Sequence, residues 1–405
     1  MKVLAFADAN FLAHVSRALE VCKLLRDRHG HEVVFAGDGH FLKLAAEQGF
    51  VTDGVFTVPR AASLKLANRA TLVRYGWWRD MVLRSIESDV EVIHRHQPDV
   101  VLGDMHWSLS VSSELAKVPY VSITNAHWTN YFALPLEAFR GHILTRYVGE
   151  NLATALIPLL KATATRYWSY PYWKYRHDHS LPMRHCDGLL DVIQGDLTLL
   201  ADVPEYGPTT AARPPHVHYV GPILWEPDFP DPPWLERLDP DRPTLYITMG
   251  STGDPLFFEK ATRYFGGSRY QVVMTTGGLS VDIPEVPSNF FIEEFARGDR
   301  IVAKSHVVIN HGGNGSIYQA LAGGVPVIGA PYHVDQDVNL QIVERLGCGI
   351  RLSNDRNLFP TLERAIEEVL ANSKYRRAAK AVQQSIRDHG GATRAAAIID
   401  SYLRS

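Results

Sequence analysis

An α/β fold with two doubly wound, mostly parallel sheets is what this sequence predicts, and three observations carry it. Short apolar runs alternate with helical patterns along the first half of the chain, the texture of βαβ units. Between Asp202 and Arg242 ten prolines crowd together, a density that helices and central strands do not accept. Beyond Arg242 the alternation resumes. The reading is two Rossmann-like domains facing each other across a cleft. The N-terminal domain spans 1–222, a linker 223–242 and the C-terminal domain 243–385, with a last helix over 386–405 able to pack back on the first domain.

The elements follow in order. Val3 to Ala7 is an apolar run of strand length. From Ala13 to Arg28 the residues Val15, Ala18, Leu19, Cys22 and Leu25 recur at helical spacing and make one buried face, and Gly30 stops the helix. His31 to Ala36 reads as the second strand and Asn68 to His96 as a long helix, which Pro98-Asp99 closes before the strand Val100 to Leu102. Another helix precedes the strand Val118 to Ile123. Inside the proline-rich stretch, His218 to Pro222 reads as the last strand of the first domain. Strands then fall at Thr244–Thr248, Gln271–Thr275, Phe290–Glu293, Val307–Asn310 and Val327–Gly329, and 373–405 reads as two terminal helices.

Composition narrows the class. The chain has 405 residues, 46% of them hydrophobic and 21% charged, which suits a globular enzyme of two ordinary domains. A formal charge of −3 offers no basic excess for a nucleic-acid partner. Cys22, Cys186 and Cys348 lie far apart and form neither a metal-ligand nor a disulfide pattern. Met1-Lys2-Val3 leads straight into a strand broken by Asp8, so no signal-peptide core is expected. The apolar stretch Leu152 to Leu160 is too short to span a bilayer. The expected setting is a reducing cytoplasm.

Chemistry concentrates in Val308-Ile309-Asn310-His311-Gly312-Gly313-Asn314-Gly315-Ser316, running on to Gln319. A buried strand ends here in a glycine-rich turn that opens directly into a helix. Glycines let the backbone approach a ligand closely, and the helix start offers free N–H groups and the positive end of its dipole. His311 adds a donor and Ser316 a hydroxyl, so the turn reads as a cradle for phosphate oxygens. An ordinary strand-to-helix turn would look similar, and the spacing is neither Gly-x-Gly-x-x-Gly nor a Walker A loop. Val325 to Pro331 is a second strand, running into Tyr332-His333-Val334-Asp335-Gln336-Asp337. Polar groups thus stand at two consecutive strand ends, where parallel sheets bind ligands.

The segment 308–347 resembles the nucleotide-sugar signature of family-1 glycosyltransferases, the UDP-glycosyltransferase superfamily, in its bacterial natural-product and macrolide-type branch. His311-Gly312-Gly313, Gly315-Ser316, Gly324-Val325-Pro326 and Asp335-Gln336 with Asn339 carry the resemblance. It extends over most of the chain and is weakest between 127 and 185. It implies a GT-B type fold and a nucleoside-diphosphate sugar donor, UDP or dTDP being the expected carriers. It further implies metal-independent transfer without a cofactor and a small-molecule acceptor, the protein acting as monomer or homodimer.

Residue by residue, the resemblance implies that His14 is a general base, in a turn written Ala13-His14-Val15-Ser16-Arg17 where the family has Gly-His-x-x-Pro. Asp104, at the end of its strand, would orient that histidine. A helix-terminus histidine and an N-cap aspartate are the plainer readings of the two residues. Ser251 and Thr252, in Gly250-Ser251-Thr252-Gly253, match the family's Gly-Ser loop at the diphosphate, beside His311, Gly313, Asn314, Gly315 and Ser316. Phe295 and Ala296 stand where the base binds. Gln319 takes the place of a ribose-binding Glu, keeping an acceptor oxygen without the charge. Asp335 and Gln336 match the pair that holds the donor sugar, although Asp335 could also cap a helix beginning near Asp337.

His106, Trp107, His127 and Trp128 follow strand ends of the first domain and are candidates for the acceptor pocket. Aromatics crowd the whole of 127–185, which suits a polyketide, macrolide or phenolic aglycone and equally an interface toward lipid acceptors. The expected activity is inverting glycosyl transfer to a hydroxyl of a small aromatic or hydrophobic acceptor. A catalytically idle homologue that activates another transferase is the reading from a different class. A nucleotide-sugar epimerase would want further acidic and basic residues in the cleft.

Overall fold

The computed structural model describes residues 1–63, 74–139, 143–183 and 189–405. Two parallel sheets organise the chain, and its residues fall into two compact units. The first comprises Met1–Pro135, Ala155–Trp225 and His389–Ser405; the second comprises Leu136–Thr154 and Glu226–Asp388.

The first unit holds strands β1 (Lys2–Ala7), β2 (Glu32–Gly37), β3 (Val51–Gly54), β4 (Val100–Asp104), β5 (Tyr120–Thr124), β6 (Leu197–Leu200) and β7 (Val217–Tyr219). They form a seven-stranded sheet in the order β3-β2-β1-β4-β5-β6-β7. Helix α1 (Leu12–Asp27) packs Val15, Ala18, Leu19, Cys22 and Leu25 into the core under β1, β2 and β4. Burying each Val or Leu contributes about 1.5–3 kcal/mol, so the helical face read from the sequence is what fixes α1 to the sheet. Helices α2 (Lys43–Glu47), α3 (Tyr75–His96) and α4 (Leu109–Ala116) follow. The expected long helix over 68–96 starts at Tyr75, after the non-helical Arg74, and positions 68–73 of that expectation lie outside the described residues.

Helices α5 (Ile143–Val148) and α6 (Glu150–Asp178) bring the chain to β6, and α6 carries Pro158 and Pro171 inside it. The short edge strand β3 pairs with β2, and β6 lies between β5 and β7; neither strand was anticipated. β3 is partly exposed and ends in Asp53-Gly54, so its sequence lacks the apolar run that marks an inner strand.

The second unit has β8 (Thr244–Thr248), β9 (Gln271–Thr275), β10 (Phe290–Glu293), β11 (Val307–Asn310), β12 (Val327–Gly329) and β13 (Gly349–Arg351). Their order is β10-β9-β8-β11-β12-β13, all parallel. Between them run α7 (Pro255–Phe265), α8 (Gly298–Ala303), α9 (Asn314–Ala322), α10 (Val334–Arg345), α11 (Leu358–Ala371) and α12 (Ser373–His389). The final helix α13 (Ala392–Arg404) joins the first unit, where Ala395, Ala396 and Ile399 pack with Val15 and Leu19 of α1. No helix among the described residues is long and apolar enough to cross a membrane.

Each sheet has one place where strand order reverses, between β1 and β4 in the first and between β8 and β11 in the second. Neighbouring connections there leave to opposite faces, which opens a crevice at the carboxyl ends of the strands. His14 and Asp104 stand at the first of these places, and Thr252 and His311 at the second.

Candidate active site

In the first unit β1 ends at Ala7, which pairs with Asp104 at the end of β4. His14 sits in the first turn of α1, just past β1, with its side chain one-quarter exposed. Its Nδ1 lies 2.7 Å from Oδ1 of the fully buried Asp104. A carboxylate can only accept, so Nδ1 carries the hydrogen, and in the neutral ring the lone pair is then on Nε2. That tautomer can take a proton from a hydroxyl.

Two partners escaped the sequence reading. Arg17, three residues along α1, donates from Nη2 to the same Asp104 Oδ1 at 2.6 Å and from Nη1 to Asn125 Oδ1 at 2.7 Å. The i, i+3 spacing from His14 puts Arg17 on the same helix face, the one signal that could have found it. Asp104 Oδ2 is buried without a hydrogen-bond partner.

His106 is held in a buried cluster. Its Nε2 lies 3.0 Å from Asp89 Oδ1, while Ser108 and Ser112 donate to Asp89 Oδ2 at 2.6 and 2.9 Å. Burial opposes its charge, but the Asp89 carboxylate outweighs it and holds the pKa of His106 above the ordinary value. Trp107 and Trp128 come together edge to face with ring centres 5.8 Å apart, and His127 lies 5.8 Å from Trp128. Trp107 and Trp128 pack against a cluster that includes Trp78 and Tyr172, so the strand ends beyond Asp104 and Thr124 share an aromatic wall.

In the second unit β11 ends at Asn310 beside Thr248 of β8. The turn His311-Gly312-Gly313 follows, and α9 begins at Asn314 with no side chain capping it. Asn310 Nδ2, His311 Nδ1 and Asn314 Nδ2 are all buried without a hydrogen-bond partner. Such orphans are costly, and here three cluster at one uncapped helix start, where an anion would satisfy them.

His311 Nε2 lies 3.4 Å from Thr252 Oγ1, and a Cβ at Gly250 or Gly313 would come within 2.9 or 2.7 Å of its Cε1. Ser316 Oγ donates to the Gly313 carbonyl at 3.0 Å, leaving its lone pairs. The side chain of Ser251 lies outside the described residues.

Helix α10 starts at Val334 rather than near Asp337, so Asp335 belongs to its first turn. Gln336 is buried and accepts from the Tyr332 N–H at 2.8 Å. Asp337 is ion-paired with Arg351 at 3.1 Å. Phe295 and Ala296 are half-buried beyond β10, and the amide of Gln319 lies against Gly298, where a Cβ would meet it at 2.2–2.5 Å. Gln319 is thereby brought beside the loop that carries Phe295. Among the described residues no group of three or more His, Cys, Asp or Glu is placed to hold a metal ion.

Burial, helped by the nearby His333 and opposed by Asp335, pushes the His311 pKa down to about 3. An unfolded histidine titrates near 6.5. Between those values the unfolded chain binds the proton that the folded ring refuses, so this contribution to stability falls as pH falls, by about 1.4 kcal/mol per unit at most. His333, also shifted down, shares that sign, whereas His106 has the opposite one. Urea midpoints at pH 7.5 and 5.5 are expected to differ less in His311→Asn than in the parent. Equal differences would show that the ring is protonated in the folded state.

Residues 270–397 match the family described as Erythromycin biosynthesis protein CIII-like, C-terminal domain. A PGL/p-HBAD biosynthesis glycosyltransferase of Mycobacterium tuberculosis is 33% identical over 395 residues, covering 95% of this chain and 88% of that protein. The calicheamicin glycosyltransferase CalG4 superposes with a TM-score of 0.73 at 20% identity, over 99% of this chain and 98% of its own. The spinosyn rhamnosyltransferase SpnG complexed with thymidine diphosphate gives 0.68 at 20% identity, over 99% and 100%. With its GT-B fold and this kinship to natural-product and mycobacterial PGL enzymes, the chain belongs to the family-1 glycosyltransferases, which use nucleoside-diphosphate sugars.

Proposed function

We propose that this glycosyltransferase moves a hexose, with inversion, from a UDP- or dTDP-sugar to a hydroxyl of a small aromatic or hydrophobic acceptor. The observation that carries the reading is the 2.7 Å contact of His14 with Asp104 at the strand ends of the first unit. His14 Nε2 takes the acceptor proton, and Asp104 stabilises the imidazolium that results. The freed oxygen attacks the anomeric carbon from the side opposite the diphosphate. Charge on the leaving diphosphate is met by the N–H groups at the start of α9, by the amides of Asn310 and Asn314, and by His311 and Thr252. Asp335 and Gln336 hold the sugar, with Gln319, Phe295 and Ala296 at the ribose and base.

The relative in PGL biosynthesis, a phenolic glycolipid pathway, supports a phenolic hydroxyl as acceptor, and Trp107 with Trp128 offers a wall for its ring. The thymidine diphosphate bound by SpnG supports dTDP as a carrier. An idle partner subunit would have no need of a base and orienter in hydrogen-bond contact, which counts against that alternative. Free nucleoside diphosphate released from a panel of UDP- and dTDP-sugars with simple phenols tests the reading. Release with none of them would sink it.

Because protein dipoles and N–H donors take up the leaving charge, transfer is expected to persist at the parent rate in excess EDTA. Activity lost on chelation and restored by magnesium or manganese would overturn this account of the diphosphate site.

A further inference from the structure

We propose that Arg17 is a positioning residue whose guanidinium fork sets the acceptor-side turn Ala126–Trp128 against the His14–Asp104 pair. The proposal rests on the transferase reading above. Arg17 is only 9% exposed, and its two bonded nitrogens reach different elements: Asp104 at the end of β4 and Asn125 just past β5. Asn125 in turn donates to Asp202 Oδ1 at 3.0 Å and to the Ala201 carbonyl at 3.3 Å. Asp202 Oδ2 accepts the Ala126 N–H at 2.6 Å. One chain of bonds therefore runs from the orienter of the base to the first residue of the turn that bears His127 and Trp128.

A buried charge is retained at a desolvation cost, and an apolar residue could fill the same volume. What an apolar residue could not do is hold two elements at a fixed separation. A planar guanidinium presents its donors in a rigid fork, whereas an ammonium on a flexible stem is a single point charge. Lysine at position 17 could still face Asp104, but it would release Asn125. The acceptor turn would then drift relative to Nε2 of His14, and displacements near 1 Å can cost on the order of 10²-fold in rate.

The test uses the full chain, a UDP- or dTDP-sugar that it consumes, and 4-propylphenol as acceptor probe. In Arg17→Lys the acceptor dissociation constant and acceptor KM are expected to rise about tenfold and kcat to fall about tenfold, together the ~10²-fold of a displaced group. Donor KM and nucleoside-diphosphate affinity should not move. A purely structural role would lower kcat with the folded fraction and leave acceptor KM and affinity unchanged. That result overturns the proposal, as does a Lys variant equal to the parent.

Asn125→Ala covers the case in which the Lys variant does not fold, since it leaves the Arg17–Asp104 pair intact. It should raise acceptor KM and weaken probe binding with a smaller loss in kcat, and unchanged values would again overturn the proposal. A parent protein that binds the phenol yet consumes no donor would sink the transferase reading alone, because the binding arms of the test still report on Arg17.

Discussion

His14→Ala is expected to lower kcat/KM for hydroxyl acceptors by about 10²–10⁴-fold, the usual cost of removing a general base. That corresponds to about 3–5 kcal/mol of transition-state stabilisation. The loss should fall on the chemical step and not on folding, for a reason visible in the contacts. The His14 side chain is one-quarter exposed, and deleting it leaves Asp104 bonded to Arg17 at 2.6 Å, so no buried charge is stranded. Asp104→Asn would differ, since it weakens the partner of a buried guanidinium and costs stability as well as rate. The diphosphate candidates belong to the other unit, so titrations of UDP and dTDP should read the same in parent and His14→Ala. Turnover at the parent rate would send the search for the base to His127, because His106 is committed to Asp89.

How far the sequence could be read divides along a physical line. Strands buried on both faces, such as Thr244–Thr248 and Val307–Asn310, form the continuous apolar runs that parallel sheets require, and their limits were legible to the residue. Val51–Gly54 and Gly349–Arg351 are short edge strands of mixed polarity, and only their neighbours define them. His14 and Asp104 were legible because each closes or follows a strand in a pattern with known chemistry. Arg17 was not: it stands where the resembled turn carries proline, and its reason for burial lies in Asp104 and Asn125, which are distant in sequence.

Gln336 shows the converse limit. The signature marks it for the sugar, but its side-chain oxygen is also engaged by the Tyr332 N–H, a local bond that no spacing rule announces. His106 likewise looked open to a ligand by position after β4, until Asp89, seventeen residues away, supplied its partner.

Gly312→Ala is expected to damage the cradle itself, and its effect should exceed that of any other single methyl added to the turn. Gly312 has φ +92, where an L-residue is strained by roughly 1–2 kcal/mol. A Cβ there would also sit 2.5 Å from the Gln336 carbonyl oxygen and 2.9 Å from Leu340 Cδ1. The first of these is backbone in α10 and cannot swing aside, so overpacking adds about 1–3 kcal/mol more. Relief requires the turn to shift, yet Gly312 is held on both sides, its N–H by Asn310 Oδ1 at 2.8 Å and its carbonyl by Asn339 Nδ2 at 3.1 Å. Stability should therefore fall by about 3 kcal/mol, and the folded fraction should bind UDP or dTDP at least tenfold more weakly, about 1.4 kcal/mol. Gly315→Ala is the matched control: nothing lies within 4 Å of its Cβ position, and it is inside α9, where alanine is the better helix former. The same added methyl should there leave stability equal or slightly raised. Denaturant midpoints and nucleotide titrations on the two variants decide the matter, and parent-like nucleotide affinity in a folded Gly312→Ala would mean that the diphosphate lies elsewhere.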